Sequence, residues 1–301
     1  MKKYKKILLL VIIISIFGSC KNNSAETKNT SEKKIGVLIV SHGSHSKEWR
    51  KMLWDVEKTV KSDILKNKKI TDVRTSFMEY TEPSIATQMK KFDEEGYDEV
   101  IVVPMFLTVS SHYSHDIPVL LGVSNDPKSK EYMINNEKME VYKPKARVTI
   151  TPPLDYTTIL KKNIERRVKV LSKNGDNEGV LLVAYGDAQY NQQWEQMVDE
   201  IGKYLKIKTG HESIAYAWCG HLVEYSTKPT MDGINKLFEL EDKVIVIPVL
   251  VAIDDYFQKD IIQTAVDNVE GSSNVYYTQD AILPDANINQ WIVNIVNTSL
   301  E

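Results

Sequence analysis

The chain has 301 residues, 42 % of them hydrophobic and 26 % charged, with a formal net charge of −3. That is enough material for two ordinary domains with apolar cores, which excludes a disordered or fibrous protein. The charge becomes −7 once the four lysines ahead of Cys20 are discounted, and this acidic balance excludes a general nucleic-acid binder.

The N-terminus reads Lys2-Lys3-Tyr4-Lys5-Lys6, then an apolar run from Ile7 to Phe17, then Gly18-Ser19-Cys20. A basic start, a short apolar centre and small residues ahead of a cleavage point describe a secretory signal. The run falls well short of the ~20 residues a spanning helix needs. Phe17-Gly18-Ser19-Cys20 resembles a bacterial lipobox, with Phe unusual at its first position. The expectation is a signal over residues 1–19, a lipidated Cys20, a polar tether to residue 33, and an extracytoplasmic bacterial membrane lipoprotein. A plain signal peptide or an uncleaved anchor is the alternative. Lipid on Cys20 would leave Cys219 without a disulfide partner, and Cys219 then reads as a small buried residue.

Beyond the tether, Ile35 to Val40 is an apolar run that ends in Ser41-His42-Gly43-Ser44-His45. Such runs read as central strands of a parallel sheet covered on both faces. A helix follows from an N-cap at Ser46, with Trp49, Leu53, Val56, Val60 and Ile64 on one face. Val73 to Met78 reads as a strand that delivers Glu79. Ser84 to Glu95 reads as a helix stopped by Gly96. Glu99 to Pro104 is a third strand, with His112 and His115 beyond it. Asn125 to Lys145 reads as a charged surface excursion. A strand from Arg147 to Thr151, a Pro turn and a terminal helix close this half, and Ser172 to Gly179 is a linker full of turn formers.

The chain then repeats itself. Gly36 onward matches Gly179 onward, and Asp98 onward matches Asp242 onward. Alternating strands and helices imply parallel, doubly wound sheets with right-handed crossovers. The predicted fold is therefore α/β: two tandem halves, 34–171 and 179–301, facing a central cleft.

Ligands in such sheets bind outside the carboxyl ends of the strands. His42, Glu79 and His112 stand at three such ends. Two imidazoles and a carboxylate suit a divalent metal such as Co2+, Fe2+, Ni2+ or Zn2+, and three protein ligands leave positions open for chemistry. His45 and His115 read as supporting or alternative ligands. In the second half Tyr185 and Tyr256 take the places of His42 and His112. Phe77-Met78-Glu79 aligns with Tyr216-Ala217-Trp218, with Glu224 as a competing match for the carboxylate. His211 and His221 read as loop residues. One metal centre is expected, in the first half.

The ordered set Ser41-His42-Gly43-Ser44, Phe77-Met78-Glu79 with Pro83-Ser84, Val102-Val103-Pro104-Met105-Phe106-Leu107, His112 and Asp116-Ile117-Pro118 resembles the sirohydrochlorin chelatase family, in its long duplicated form. The resemblance implies insertion of Co2+ or Fe2+ into sirohydrochlorin or a related tetrapyrrole, with His42, His112 and Glu79 handling the metal. Family members often carry Arg at the position of His45, a partner for macrocycle carboxylates; here Lys47 and Arg50 are the nearest cations. Trp49, Trp54, Phe106 and Tyr113 are candidates for stacking on the ring. The alternative reading is an extracytoplasmic lipoprotein that binds metal or a metallo-tetrapyrrole for uptake without catalysis. Nothing in the sequence fixes the oligomeric state.

Overall fold

A computed structural model describes residues 33–301 apart from 155–156 and 174–175. The expected signal segment, Cys20 and the expected tether up to residue 32 lie outside the described residues, among which no helix is long and apolar enough to cross a membrane.

The first half runs β1 (Ile35–Ser41), α1 (Lys47–Ile64), β2 (Ile70–Phe77), α2 (Ile85–Glu94), β3 (Glu99–Pro104), a π-helical turn (His112–Asp116) leading into α3 (Ile117–Leu120), then α4 (Pro127–Asn135), β4 (Arg147–Ile150) and α5 (Thr158–Leu171). The second repeats it: β5 (Glu178–Ala184), α6 (Asn191–Thr209), β6 (Ile214–Trp218), α7 (Lys228–Phe238), β7 (Lys243–Val249), a π-helical segment (Tyr256–Gln263) leading into α8 (Thr264–Asp267), β8 (Val275–Tyr277) and α9 (Ala286–Thr298). The sheets are all parallel, with orders β2-β1-β3-β4 and β6-β5-β7-β8. Every residue of β1, β3 and β5 is buried. That explains the continuous apolar runs: helices cover both faces of these strands, so neither face needs polar residues.

Local chemistry sets the helix ends. Ser46 Oγ accepts a hydrogen bond from Trp49 N at 3.2 Å and starts α1; Ser84 does the same for α2 through Thr87 N. Gly96 (φ +73°) takes the left-handed turn beyond α2. The stretch 125–145 departs from the expected surface excursion. It contains α4, capped by Asp126, with Met133 fully buried, and Met139, Val141 and Tyr142 pack against the core between α2 and β3. Four apolar residues spread among charges carry too weak a period to show in the sequence.

The halves exchange their terminal helices. α5, which follows β4, packs on α6 and β7; α9, which follows β8, packs on α1 and β3. Polar bonds follow the same crossing. Asn163 Nδ2 donates to Ile282 O at 2.9 Å, Arg166 and Arg167 pair with Asp285 and Asp280, and Tyr204 donates to Glu165 at 2.7 Å. One apolar core joins Val37, Ile39, Leu53 and Ile164 to Leu182, Ile201, Ile247 and Ile292. A chain ending at residue 171 would expose the faces of α1 and α5 that the second half covers. Expressed alone, residues 33–171 are therefore expected to lose the cooperative unfolding of the whole chain, or to self-associate through those faces. Chemical denaturation with sedimentation checks this; a stable, monomeric, cooperatively unfolding half would refute it.

Candidate metal centre and cleft

The parallel ladder between β1 and β2 continues past both strands. Met78 N donates to Ser41 O and Glu79 N to His42 O, each at 2.8 Å, so the His42 and Glu79 backbones lie side by side at the sheet's carboxyl edge. Gly43 (φ +108°) makes this approach possible, because a Cβ there would lie 2.0 Å from Glu79 O. Tyr80 holds φ +64°, an uncommon setting for a bulky residue and of the kind that gathers at functional sites. His112 opens the π-helical turn after β3, a local widening of the helix also frequent at such sites.

These elements bring together the three residues expected from the sequence. Ligand atoms of His42, Glu79 and His112 lie within 4.8 Å of one another, and the two imidazoles meet edge to face at 4.8 Å. His42 Nδ1 sits 3.0 Å from Gly43 O, so the neutral ring donates there and leaves Nε2, 3.7 Å from Glu79 Oε2, with its lone pair free. His112 Nδ1 is held 2.8 Å from Asp116 Oδ2, the carboxylate–imidazole arrangement that orients the other ring nitrogen toward a metal. Asp116 also accepts from Ser129 of α4. The segment read as a surface excursion thus braces a candidate ligand. Glu79 is 2 % exposed and its Oε1 has no hydrogen-bond partner. An orphaned buried carboxylate oxygen is costly unless something binds it.

The electrostatics suit a bound cation. Burial and then the neighbouring His112 lower the His42 pKa to about 4. Burial raises that of Glu79 to about 7. Burial works against the charge on His112, but the bond to Asp116 and the Glu79 charge outweigh it and raise its pKa. A divalent cation at this point would favour the ionised Glu79 and the neutral His112, and His42 is already neutral to receive it.

His45 and His115 are placed differently. His45 lines the cleft beside Tyr80, at 4.9 Å between rings. His115 turns to the second half: Nδ1 lies 3.0 Å from Asp126 Oδ2 and Nε2 2.9 Å from the Tyr190 hydroxyl, so both nitrogens are engaged away from the triad.

In the second half, Tyr256 opens the π-helical segment in the place of His112, and Tyr185 follows β5 in the place of His42. The third correspondence needs correction. Cys219 N donates to Ala184 O and Gly220 N to Tyr185 O, repeating the bonds of Met78 and Glu79. Trp218-Cys219-Gly220 is therefore the counterpart of Phe77-Met78-Glu79, two residues beyond the alignment read from sequence, and Glu224 belongs to the turn after it. A Cβ on Gly220 would come within 2.8 Å of the Tyr185 ring, so that ring lies where a Glu79-like side chain would start. Cys219 is fully buried, and burial pushes its thiol up to about 12.

Between the halves lies a cavity of about 480 Å3, within the range of small-molecule sites. Its first wall carries His42, His45, Tyr80, Phe106 and His112; its second carries Tyr185, His221, Tyr225, Tyr256 and Phe257. Two bonds latch the walls in a near-twofold pattern: Ser44 Oγ donates to Asp254 Oδ2 at 2.5 Å, and Ser111 N to Asp187 Oδ2 at 2.9 Å. Of the residues expected to stack, Trp49 and Phe106 reach the cavity; Trp54 packs edge-on against Phe77 in the core, and Tyr113 is not part of the wall. His221, read as a loop residue, faces the cavity with Nδ1 3.4 Å from the Tyr185 hydroxyl. No pattern in the sequence marks it, because the turn that places it belongs to the irregular chain after β6. His211, also read as a loop residue, is buried beside Glu178 and Thr209.

The site and fold together define a chelatase-like protein. A family model described as CbiX matches residues 36–171. A sirohydrochlorin cobaltochelatase of Saccharolobus solfataricus is 31 % identical over 134 residues, covering 44 % of this chain and 93 % of that protein. Another, of Methanothermobacter thermautotrophicus, is 27 % identical over 144 residues, covering 48 % and 97 %. The chain belongs to the CbiX family of sirohydrochlorin cobaltochelatases, and its first half alone matches nearly the whole of these relatives. For the fold, the sirohydrochlorin chelatase SirB from Bacillus subtilis, solved with cobalt, superposes with TM-score 0.61 at 18 % identity, covering 88 % of this chain and 95 % of that one. DR2241 from Deinococcus radiodurans superposes with TM-score 0.59 at 14 % identity, covering 88 % and 54 %.

Proposed function

We propose that the chain is a metal chelatase that inserts Co2+ or Fe2+ into sirohydrochlorin or a related tetrapyrrole, acting as a long, duplicated member of its family with one metal centre. The observation that carries this is the unpartnered Glu79 Oε1 beside two imidazoles with free nitrogens, at the edge of a cavity whose other wall, from the second half, lacks the matching ligands. Insertion exchanges the ion for two pyrrole N–H protons: M2+ and the free macrocycle give the metallated macrocycle and two protons, with no change of oxidation state. His42 and His112 present the ion through neutral nitrogens that ring nitrogens can displace. Glu79, with a pKa near 7, takes a proton as the ion leaves it, and His112 with Asp116 is placed to take another. Mixing the full chain with sirohydrochlorin and Co2+, Fe2+ or Ni2+ in turn, and following metallation by absorbance, tests this. Rates equal to the protein-free control for every metal would refute catalysis.

The N-terminal pattern favours a second reading, in which the same cleft captures metal or a finished metallo-tetrapyrrole outside the cytoplasm without catalysis. Tight retention of the metallated ring with no acceleration would select it. Both readings place the chain on a membrane through lipid at Cys20. Cys20→Ser is expected to give an unprocessed precursor or a soluble form, seen by fractionation and intact mass; unchanged membrane association with an unmodified Cys20 would refute lipid anchoring.

A further inference from the structure

The two bonds that latch the walls fall on the segments that carry the imidazoles of the metal centre. Asp187 Oδ2 accepts from the Ser111 amide at 2.9 Å, one residue ahead of His112. Ser111 does not cap the π-helical turn with its own side chain, so this starting amide is satisfied from the second half. Asp187 Oδ1 accepts from the amides of Gln189 and Tyr190 at 2.9 and 3.0 Å, so the same carboxylate also fixes Tyr190. The Tyr190 hydroxyl meets His115 Nε2 at 2.9 Å, near the other end of the turn. From His115 a chain of bonds returns to the ligand. His115 Nδ1 lies 3.0 Å from Asp126, Asp126 caps α4, Ser129 of α4 donates to Asp116, and Asp116 lies 2.8 Å from His112 Nδ1. The second latch joins Asp254 Oδ2 to the Ser44 hydroxyl at 2.5 Å, two residues beyond His42.

Asp187 lies three residues past the end of β5, as Ser44 lies three past β1, and Asp254 lies two residues ahead of Tyr256, as Ser110 lies two ahead of His112. At both of these places the half without the ligands carries a carboxylate where the first half carries a hydroxyl. Hydrogen bonds to a carboxylate are roughly twice as strong as neutral ones. A metal site tolerates ligand displacements of only about 0.5 Å, so a turn that carries one ligand gains from being fixed at both ends. Resting on the metal-centre reading of His42, Glu79 and His112, we infer that the second half clamps the metal ligands of the first. Asp187 and Tyr190 position His112, and Asp254 positions the loop of His42, though none of the three is itself a ligand. This gives a copy that lacks the ligand set a direct part in holding the metal.

The test uses the full chain, Co2+ as the probe, calorimetric titration for affinity and the visible absorption of bound Co2+ for ligand geometry. Asp187→Asn is the sharpest variant. Its carbonyl oxygen can still serve the Gln189 and Tyr190 amides, but its NH2 group then faces the Ser111 amide, donor against donor. It is expected to lose ~3–10-fold in Co2+ affinity and to shift the Co2+ spectrum. Tyr190→Phe, which removes only the hydroxyl, should act in the same direction. Asp254→Ala should also weaken Co2+, whereas Asp254→Asn should stay near wild type, because the Ser44 hydroxyl can turn and accept from the amide. Tyr204→Phe breaks a bond between the halves that ends on neither histidine segment, so it should leave both affinity and spectrum unchanged. Thermal melts place the variants on one scale of stability. Wild-type affinity and spectrum in both Asp187→Asn and Tyr190→Phe would overturn the clamp and leave the metal centre standing. Equal losses in Asp187→Asn and Tyr204→Phe, with an unchanged spectrum, would show general loosening and overturn it too. A wild-type chain that binds no Co2+ would overturn the metal-centre reading itself.

Discussion

Glu79→Gln is expected to lower the rate of metal insertion by ~10²–10⁴-fold, the usual worth of a placed proton acceptor. It should also make the metal-free protein more stable above neutral pH. The second effect follows from the same burial as the first. In an unfolded chain Glu79 would ionise near its ordinary value of 4.5; in the fold it does so at about 7. Below pH 4.5 both states hold the proton and nothing is lost. Between 4.5 and 7 the unfolded chain ionises and the folded one does not, so stability falls as pH rises, and above 7 the loss is complete at about 3 kcal/mol. Glutamine has the same shape and no charge, so the variant escapes that loss. At pH 8 its apo form should melt higher by roughly 5–10 °C, with no difference at pH 4. Co2+ should close the gap, because the ion stabilises the wild-type carboxylate and not the amide. Thermal melts with and without Co2+ at the two pH values check the stability half, and single-turnover metallation checks the rate. Equal apo stabilities at pH 8 would show that Tyr80 and His112 already offset the burial of the Glu79 charge.

What the sequence revealed of this molecule follows the reach of each interaction. β1, β3, β5 and β7 were legible because strands buried on both faces must be apolar throughout. The α1 and α2 starts were legible because their caps are single side chains, Ser46 and Ser84, within three residues of the amides they satisfy. His42, Glu79 and His112 could be placed together because parallel strands end on one side of a sheet, whatever the loops do. The Trp218-Cys219-Gly220 register could not, since it depends on which backbone carbonyls the chain meets after β6, and a two-residue shift leaves the strand pattern intact. The exchange of α5 and α9 was also hidden: an amphipathic face says that a helix is covered, not by which sheet. The same holds for the latches Ser44–Asp254 and Ser111–Asp187, short polar pairs across more than seventy residues.

His112→Ala and His42→Ala should each remove most of the Co2+ affinity, and Asp116→Asn should show that the support behind His112 matters apart from the ligand itself. Asp116 lies 2.8 Å from Nδ1, fixes the ring and raises its basicity. The amide keeps the volume and a possible hydrogen bond but not the charge, and losing such a supporting partner typically costs ~10–100-fold in affinity. Direct ligand removal should cost more than this, while Tyr185→Phe and Tyr256→Phe, at the matching positions of the second half, should leave Co2+ affinity nearly unchanged. The pH profile supplies an independent sign. His42 is neutral well above its lowered pKa of about 4, so it adds no dependence near neutrality. Glu79 must lose a proton at about 7 and His112 must lose one from a raised pKa, so wild-type affinity should climb as pH rises through 7 and beyond. Asp116→Asn removes a cause of the raised His112 pKa, so its profile should level off at lower pH even though its plateau is weaker. Calorimetric Co2+ titrations from pH 6 to 9 report both quantities. A profile that is flat from pH 6 to 9 would put the ion on His42 without Glu79 and His112, and a stoichiometry of two equivalent ions would restore a centre to the second half, where Tyr185, Gly220 and Tyr256 offer no matching ligand set.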